Sequence, residues 1–249
     1  MKRIFLNFLL MVQFLTKIPV KFNLPCELSD FKRGAAFMPL IGLIIGTVQF
    51  FAYKGLVMIL PLNVTIVLIV TIGIFITGGF HLDGLGDTCD GFFAFKEDKK
   101  AIDIMKDSRI GTYSCISLII DILLKYTLLY FIVPKFPIAI IASPMIARLC
   151  TVFIACIGKT AKSSGTGNLF ISNVGKLQFF IAFLITSVIL SLVMNPKYVL
   201  MLVFSGAIFT VIFNLFCDIK IGGLTGDTLG ASNELNEIFS LMLIAIIMK

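Results

Sequence analysis

Seven apolar runs, each close to the thickness of a hydrocarbon core, decide what this chain can become. They fall at about 36–56, 62–80, 111–133, 137–157, 177–195, 197–216 and 237–248. About 20 apolar residues in a helix cross a bilayer, so runs of this length with few charges read as transmembrane helices. Composition agrees: 58% of the 249 residues are apolar and only 14% are charged, where a soluble domain carries about 25% charged residues. The expected fold is all-α, a polytopic helical integral membrane protein of about seven transmembrane helices. Residues 1–249 are expected to form a single membrane-embedded domain, since the sequence shows no Pro/Ser-rich linker, low-complexity tail or internal repeat.

The first residues, MKRIFLNFLLMV, have the basic start and apolar stretch of a signal peptide. No small-x-small cleavage site follows, and Asn7, Gln13 and Lys17 interrupt the run. Ile4 to Thr16 is too short to span, so an amphipathic helix lying at the interface is expected. Six cysteines show neither a CxxC pair nor zinc spacing. Most sit in apolar runs, where a cysteine is a small buried hydrophobe, and Cys89 is read as a spacer. The net charge of +7 is spread over short loops with no basic domain to hold a duplex, which argues against a nucleic-acid partner.

Charge then orients the runs. The segment up to Arg33 and the loops 81–110, 158–176 and 217–236 carry fifteen Lys/Arg, from Lys2 to Lys220. The opposite set holds only Lys54, Lys135, Lys197 and Lys249. By the positive-inside rule the first set is cytoplasmic. Apart from Asp121, which lies within a run, the carboxylates gather on that same side, and the outer connections are minimal. Chemistry is therefore expected at the cytoplasmic face of a multi-pass protein of the cell membrane, with the lipid bilayer as its constant partner. The sequence leaves room for a homo-oligomer.

At the end of the second run, Thr77 to Gly91 reads TGGFHLDGLGDTCDG. If the chain stays helical, Asp83 and Asp87 are one turn apart and Asp87 and Asp90 three residues apart, so all three share a face. Like charges at that spacing destabilise a helix unless something bridges them. A divalent cation does so, and Mg²⁺ takes carboxylate and water oxygens together with substrate phosphates. Asp83, Asp87 and Asp90 are the candidate metal ligands. Further along, Lys106, Asp107, Ser108 and Arg109 combine cations that suit phosphate oxygens with another acid. Lys96, Lys99 and Lys100 read instead as a juxtamembrane cluster for anionic lipid.

A second polar patch, GGLTGDTLGASNELNE from Gly222, lies on the same side. Asp227 is read there as a substrate contact. Glu234 and Glu237 fit either a substrate role or a helix start complemented by acids. Within the runs, Asp121 and Lys125 are spaced to pair with each other, while Arg148 is free to reach an anionic group in a cavity. The loop GKTAKSSGTGN lacks the first glycine of a phosphate-binding P-loop, since Phe153 stands there, but Lys159 and Lys162 remain candidate phosphate contacts. With His81 the only histidine, a histidine-based triad is not expected.

HLDGLGDTCDG, IMKDSRIGTYS and GGLTGDTLGASNELNE, with FLTKIPV and FMPLIGLIIG nearer the N-terminus, together resemble the cobalamin synthase (adenosylcobinamide-GDP ribazoletransferase) family. The resemblance runs through nearly the whole chain in order. Gly86 and Cys89 stand where the family more often has alanine, and the KTAKSSGTGN loop is only loosely similar. The resemblance implies a late step of cobalamin (vitamin B12) biosynthesis. Adenosylcobinamide-GDP and α-ribazole, or its 5′-phosphate, would give adenosylcobalamin, or its phosphate, and GMP, with Mg²⁺ as cofactor. Carried onto this chain, Asp83, Asp87 and Asp90 would hold the metal on the diphosphate. Lys106, Ser108, Arg109, Arg148, Asp227 and Glu234 would contact substrate, and Asp90, Asp107 or His81 would take the hydroxyl proton. Two other readings stay open. A membrane CDP-alcohol phosphotransferase also spaces aspartates helically around a divalent ion, but its later acids are farther apart. A transporter would place more polar residues near the middle of its spans.

Overall fold

The computed structural model describes residues 2–94, 98–162 and 165–248. Lys96, Lys249 and the loop serines 163 and 164 lie outside the described residues, as do the side chains of Lys99 and Lys100. The order of elements is α1 (Lys2–Leu15), α2 (Leu28–Gly34), a 3₁₀ turn into α3 (Met38–Leu56), α4 (Leu62–Thr77), α5 (Phe80–Phe93), α6 (Asp98–Ile104), α7 (Thr112–Ile132), α8 (Ala139–Ile157), α9 (Lys176–Ser191), α10 (Pro196–Ile221) and α11 (Gly226–Ile247). Among the described residues there is no strand, only one isolated bridge between Thr160 and Leu224.

The most buried span is α8, which packs against α3, α9, α10 and α11. Its approach to α3 is close because Gly42 and Gly46 present no side chain. A Cβ on Gly42 would come within 2.4 Å of the Pro144 carbonyl oxygen, and one on Gly46 within 2.7 Å of the Ile140 oxygen. Small residues at such crossings are how helices associate where no hydrophobic drive separates them from lipid. The outward faces are apolar: Ile116, Ile119, Ile120 and Leu123 on α7, and Phe204, Ile208, Ile212 and Leu215 on α10, are all exposed. Such a belt would be a liability in water and suits a bilayer.

The polytopic all-α expectation holds, with differences in count. Among the described residues, five helices are long and apolar enough to cross a membrane, or six if α4 and α5 together make one span. Helix α9 is apolar too but, with 16 residues, is shorter than those five. The last run, expected at 237–248, is instead the second half of a 22-residue helix that begins at Gly226, so much of the expected polar loop 217–236 is helical. The largest departure is at the acidic motif. Helix α4 stops at Thr77, and Gly78 and Gly79 both adopt the left-handed conformation, with φ of 65° and 71°. The chain then turns 89° into α5. Glycine reaches that region without the clash a Cβ would make. At Gly78 the space is also taken, because a Cβ there would lie 2.1 Å from the Lys17 Cε. Helix α5 therefore runs across the end of the spans.

The N-terminal helix α1 is amphipathic as expected. It buries Leu10, Met11, Val12 and Leu15 against the bundle and leaves Ile4 and Phe5 exposed. Phe14 meets Phe31, Phe80 and Phe170 at ring-centroid distances of 5.4–5.7 Å, and Arg3 binds Asp30 at 3.0 Å.

Candidate active site

Helix α5 forms the floor of a cleft between the N-terminal ends of α11 and α7. Its glycines set how near those helices come. A Cβ on Gly84 would sit 2.7 Å from the Asp227 carbonyl and 3.2 Å from the Gly230 Cα, so α5 and α11 cross in backbone contact. A Cβ on Gly86 would sit 2.3 Å from the Ser114 hydroxyl on α7. The acids follow from this crossing. Asp83 is exposed and Asp87 half-buried on the open side of α5, and Asp227 stands beside them in the first turn of α11. Thr225 caps that helix by accepting the Thr228 N–H, and its hydroxyl donates to Asp227 at 3.1 Å. Lys162, from the 158–170 loop, approaches Asp227 at 3.5 Å. The loop is held there because Leu224 donates to the Lys159 carbonyl at 2.7 Å and Ala161 to the Leu224 carbonyl at 2.8 Å.

Crowding is visible in the titration of Asp87. Burial first, then the charges of Asp83, Asp227 and Asp90, push its carboxyl up to about 6, with Lys162 opposing. Desolvation and like charge both disfavour the ionised form. A cation in the cleft would relieve that repulsion. Among the described residues no three Asp, Glu, His or Cys side chains already converge as a ligand cage. Mg²⁺ commonly binds through one or two carboxylates and completes its shell with water and phosphate, so an open pair of hard oxygen ligands fits it.

Asp90 shares the α5 face with the other two acids, as the spacing requires, but the start of α7 covers it. Its two oxygens accept from the Gly111 N–H at 2.7 Å and the Ser114 N–H at 2.9 Å. It thus satisfies donors that α7 would otherwise leave orphaned. Asp90, expected as a metal ligand or base, is here engaged by the α7 terminus, and Asp227 stands as a further acid beside Asp83 and Asp87. Asp107 and Arg109 form a bidentate pair at 3.0 and 2.6 Å on the exposed loop before α7. The guanidinium holds the Asp107 carboxyl down at about 2, which makes it a weak proton acceptor. Lys106 lies 3.8 Å from Asp103, and Ser108 is exposed on the same loop. His81 points away from the acids. It is buried, it lines a small cavity with Phe14, Thr151 and Phe170, and its Nδ1 has no hydrogen-bond partner. Burial, with Arg148 and Lys125 nearby, pushes it well below the ordinary histidine range. Neither Asp107 nor His81 therefore offers a ready base to the cleft.

Arg148 and Glu234 belong to a second polar cluster inside the bundle. Lys125 pairs with Asp121 at 3.1 Å and also with Glu234. Arg148 donates to the Asn233 side-chain oxygen, and the Asn233 amide donates to Glu234 at 3.2 Å. Glu237 and Gln49 line the same cavity, which has a volume of about 50 Å³. Glu234 is roughly 10 Å along α11 from Asp227 at 1.5 Å per residue. The i,i+4 pairing of Asp121 with Lys125 is thus present, and the cluster ties α7, α8 and α11 together, with Glu237 as the third carboxylate beside the cations Lys125 and Arg148.

Two open grooves flank the acids at opposite ends of α5. One is lined by Asp90, Asp107, Arg109 and Gly111, the other by Gln13, Lys17, Phe80, Asp83 and Leu118. Lys17 was not singled out by charge or spacing. Its one signal in the sequence is its position within FLTKIPV.

The chain matches the family model described as cobalamin-5-phosphate synthase over residues 7–245. It is 52% identical to an adenosylcobinamide-GDP ribazoletransferase of Clostridium kluyveri over 249 residues, 99% of both chains. It is 50% identical over 238 residues to the enzyme of that name from Clostridium tetani, 95% of this chain and 94% of the other. To the one from Clostridium botulinum strain Langeland it is 48% identical over 245 residues, 98% and 99% of the two chains. No solved structure matches the chain.

Proposed function

The chain belongs to the cobalamin-5-phosphate synthase family, and we propose that its acid-floored cleft carries out the adenosylcobinamide-GDP ribazoletransferase reaction. The hydroxyl oxygen of α-ribazole, or of its 5′-phosphate, bonds to the phosphorus that carries the cobinamide. The bond from that phosphorus to the GMP oxygen breaks, GMP departs, and the hydroxyl proton passes to a carboxylate. The products are adenosylcobalamin, or its 5′-phosphate, and GMP, which makes the chain a transferase of cobalamin biosynthesis.

The observation that supports this assignment most is the crossing at Gly84. It sets Asp227 of α11 beside Asp83 and Asp87 of α5, where burial first and then the neighbouring acids raise the Asp87 carboxyl to about 6. Asp83 and Asp87 would hold Mg²⁺, which when bound supplies charge neutralisation to a diphosphate. The chain's own groups do the rest. Asp227, steadied by the Thr225 hydroxyl and by Lys162, stands on the opposite helix, where it accepts the hydroxyl proton. Lys162, with Lys106 and Arg109 at the far end of α5, supplies cations for phosphate oxygens. Phosphoryl transfer asks for positioning and charge stabilisation more than for a strong base, which suits a cleft without a free histidine. The dense Lys/Arg content of the loops on this side supports a cytoplasmic orientation of the cleft.

The test is GMP release from adenosylcobinamide-GDP, dependent on added α-ribazole and followed across a Mg²⁺ titration. Asp83→Asn and Asp87→Asn should each lose at least about 100-fold in turnover, as expected when charge stabilisation is removed from a transition state. Near-normal turnover in both variants would sink the assignment.

A further inference from the structure

The groove at the N-terminal end of α5 holds a cation that the proposed mechanism does not use. It is an open space of about 620 Å³ between the end of α1, the α4–α5 turn and α7. Lys17 lines it beside Asp83, with Gln13, Thr77, Phe80 and Leu118. Lys17 is held in place by its main chain and stem. Its N–H donates to the Ile76 carbonyl at 2.7 Å, and its methylenes fill the space over Gly78. The ammonium has no ion pair among the described residues, although Asp83 borders the same groove. At the other end of α5, Arg109 is already paired with Asp107. Phe80 is 45% exposed and lies 5.7 Å from Phe14, edge to face, so an aromatic ring is presented at the groove. The groove thus combines a fixed cation, an amide side chain and an aromatic face, and it adjoins the acids at the Asp83 end. That set recognises a phosphorylated nucleoside: the ammonium takes the phosphate monoester and the ring takes the base.

We propose that this groove is the acceptor subsite, and that Lys17 is the residue that binds the 5′-phosphate of the phosphorylated acceptor nucleoside. The proposal rests on the transfer reaction assigned above and names the acceptor half of the same site. Lys17 is a specificity residue in this scheme. It contacts the end of the acceptor away from the reacting hydroxyl.

Lys17→Met keeps the stem over Gly78 and removes only the charge; Lys17→Arg restores the charge. Steady-state GMP release is measured with α-ribazole and with α-ribazole 5′-phosphate as acceptors. In Lys17→Met the KM for the phosphorylated acceptor should rise at least about tenfold, as for loss of one charge-assisted contact. The KM for α-ribazole and the KM for the GDP-activated donor should stay within about twofold of the wild type on the same reasoning. Lys17→Arg should recover most of the loss. An equal rise for both acceptors, or a rise for the donor, would overturn the proposal. So would a fall in kcat with every KM unchanged, which is the signature of a lysine that only clamps the Gly78 turn. Equilibrium dialysis of the two acceptors against the purified protein needs no turnover. If no GMP is released by the wild type, the function assignment fails. The groove is then judged by whether Lys17→Met weakens binding of the phosphorylated acceptor alone, and unchanged binding refutes it.

Discussion

Replacing Gly84 with alanine should separate the geometry of the cleft from the stability of the bundle. The added Cβ would lie 2.7 Å from the Asp227 oxygen, 3.1 Å from the Asp227 Cα and 3.2 Å from the Gly230 Cα. All three atoms are backbone, so no side chain can swing aside. Ordinary contact begins at 3.4 Å, and the difference from 2.7 Å requires α5 and α11 to part by about 0.7 Å. Overpacking of this kind costs about 1–3 kcal/mol, while alanine recovers up to about 1 kcal/mol over glycine within a helix. The net loss of stability is therefore small. The rate is more exposed, because a displacement near 1 Å costs on the order of 100-fold when groups must act together. We expect Gly84→Ala to lower kcat for GMP release by roughly 10- to 100-fold on that basis, while the unfolding temperature in detergent moves by only a few degrees. Gly55→Ala is the control, since a Cβ there meets nothing within 4 Å. Its kcat should match the wild type. If Gly84→Ala turned over within about twofold of the wild type, the α5–α11 crossing would not be what positions the acids.

Three further outcomes follow from the same geometry. Because the Asp87 carboxyl is raised to about 6, protons compete with the metal there. Mg²⁺ affinity, read calorimetrically, should weaken about tenfold between pH 7.5 and pH 5, and Asp227→Asn should move that loss to lower pH by removing a repelling charge. The sign for stability is the opposite: in metal-free protein a raised carboxyl favours folding below its unfolded pKa, and that contribution is lost as pH rises through about 6. Lys125→Met strands the buried Asp121 and Glu234 and should cost about 3–5 kcal/mol in denaturant unfolding, whereas Glu27→Gln, which breaks the exposed pair with Arg3, should cost under about 1 kcal/mol; comparable losses would show that the intramembrane pairing contributes nothing special. Asp90→Asn keeps one acceptor for the α7 N–H groups and should retain turnover within about tenfold, while Asp90→Ala loses about 1–2 kcal/mol of stability with the cap. A 1,000-fold drop in Asp90→Asn with unchanged unfolding, a size typical of lost catalysis, would return Asp90 to the chemistry.

What could be read from the sequence, and what could not, divides along a physical line. Apolar runs specify spans because length and hydropathy are local, so α3, α7, α8 and α10 fall close to their expected places. The i,i+4 spacing specifies that Asp83 and Asp87 share a face, because helical periodicity is local too. The destination of a carboxylate is not local. Asp90 has the same spacing rule and the same residue type as its neighbours, yet it caps a helix that begins 22 residues later at Thr112. Asp227 is a lone acid in a glycine-rich stretch until the Gly84 crossing brings it to the others. The turn itself was half legible. Gly78-Gly79 marks the end of a helix, but neither the 89° reorientation nor the Lys17 stem packed over Gly78, a contact across 61 positions of the chain, is local. Contacts that join one element to another, such as Asp90 with the start of α7, are thus the ones that local periodicity does not specify. The intramembrane acids show both kinds of contact. Asp121 finds Lys125 on its own helix, and Glu234 finds Lys125 from α11. The acids at the Gly84 crossing are gathered by a contact between elements instead, since α5 and α11 approach there because Gly84 and Gly230 have no side chains to hold them apart.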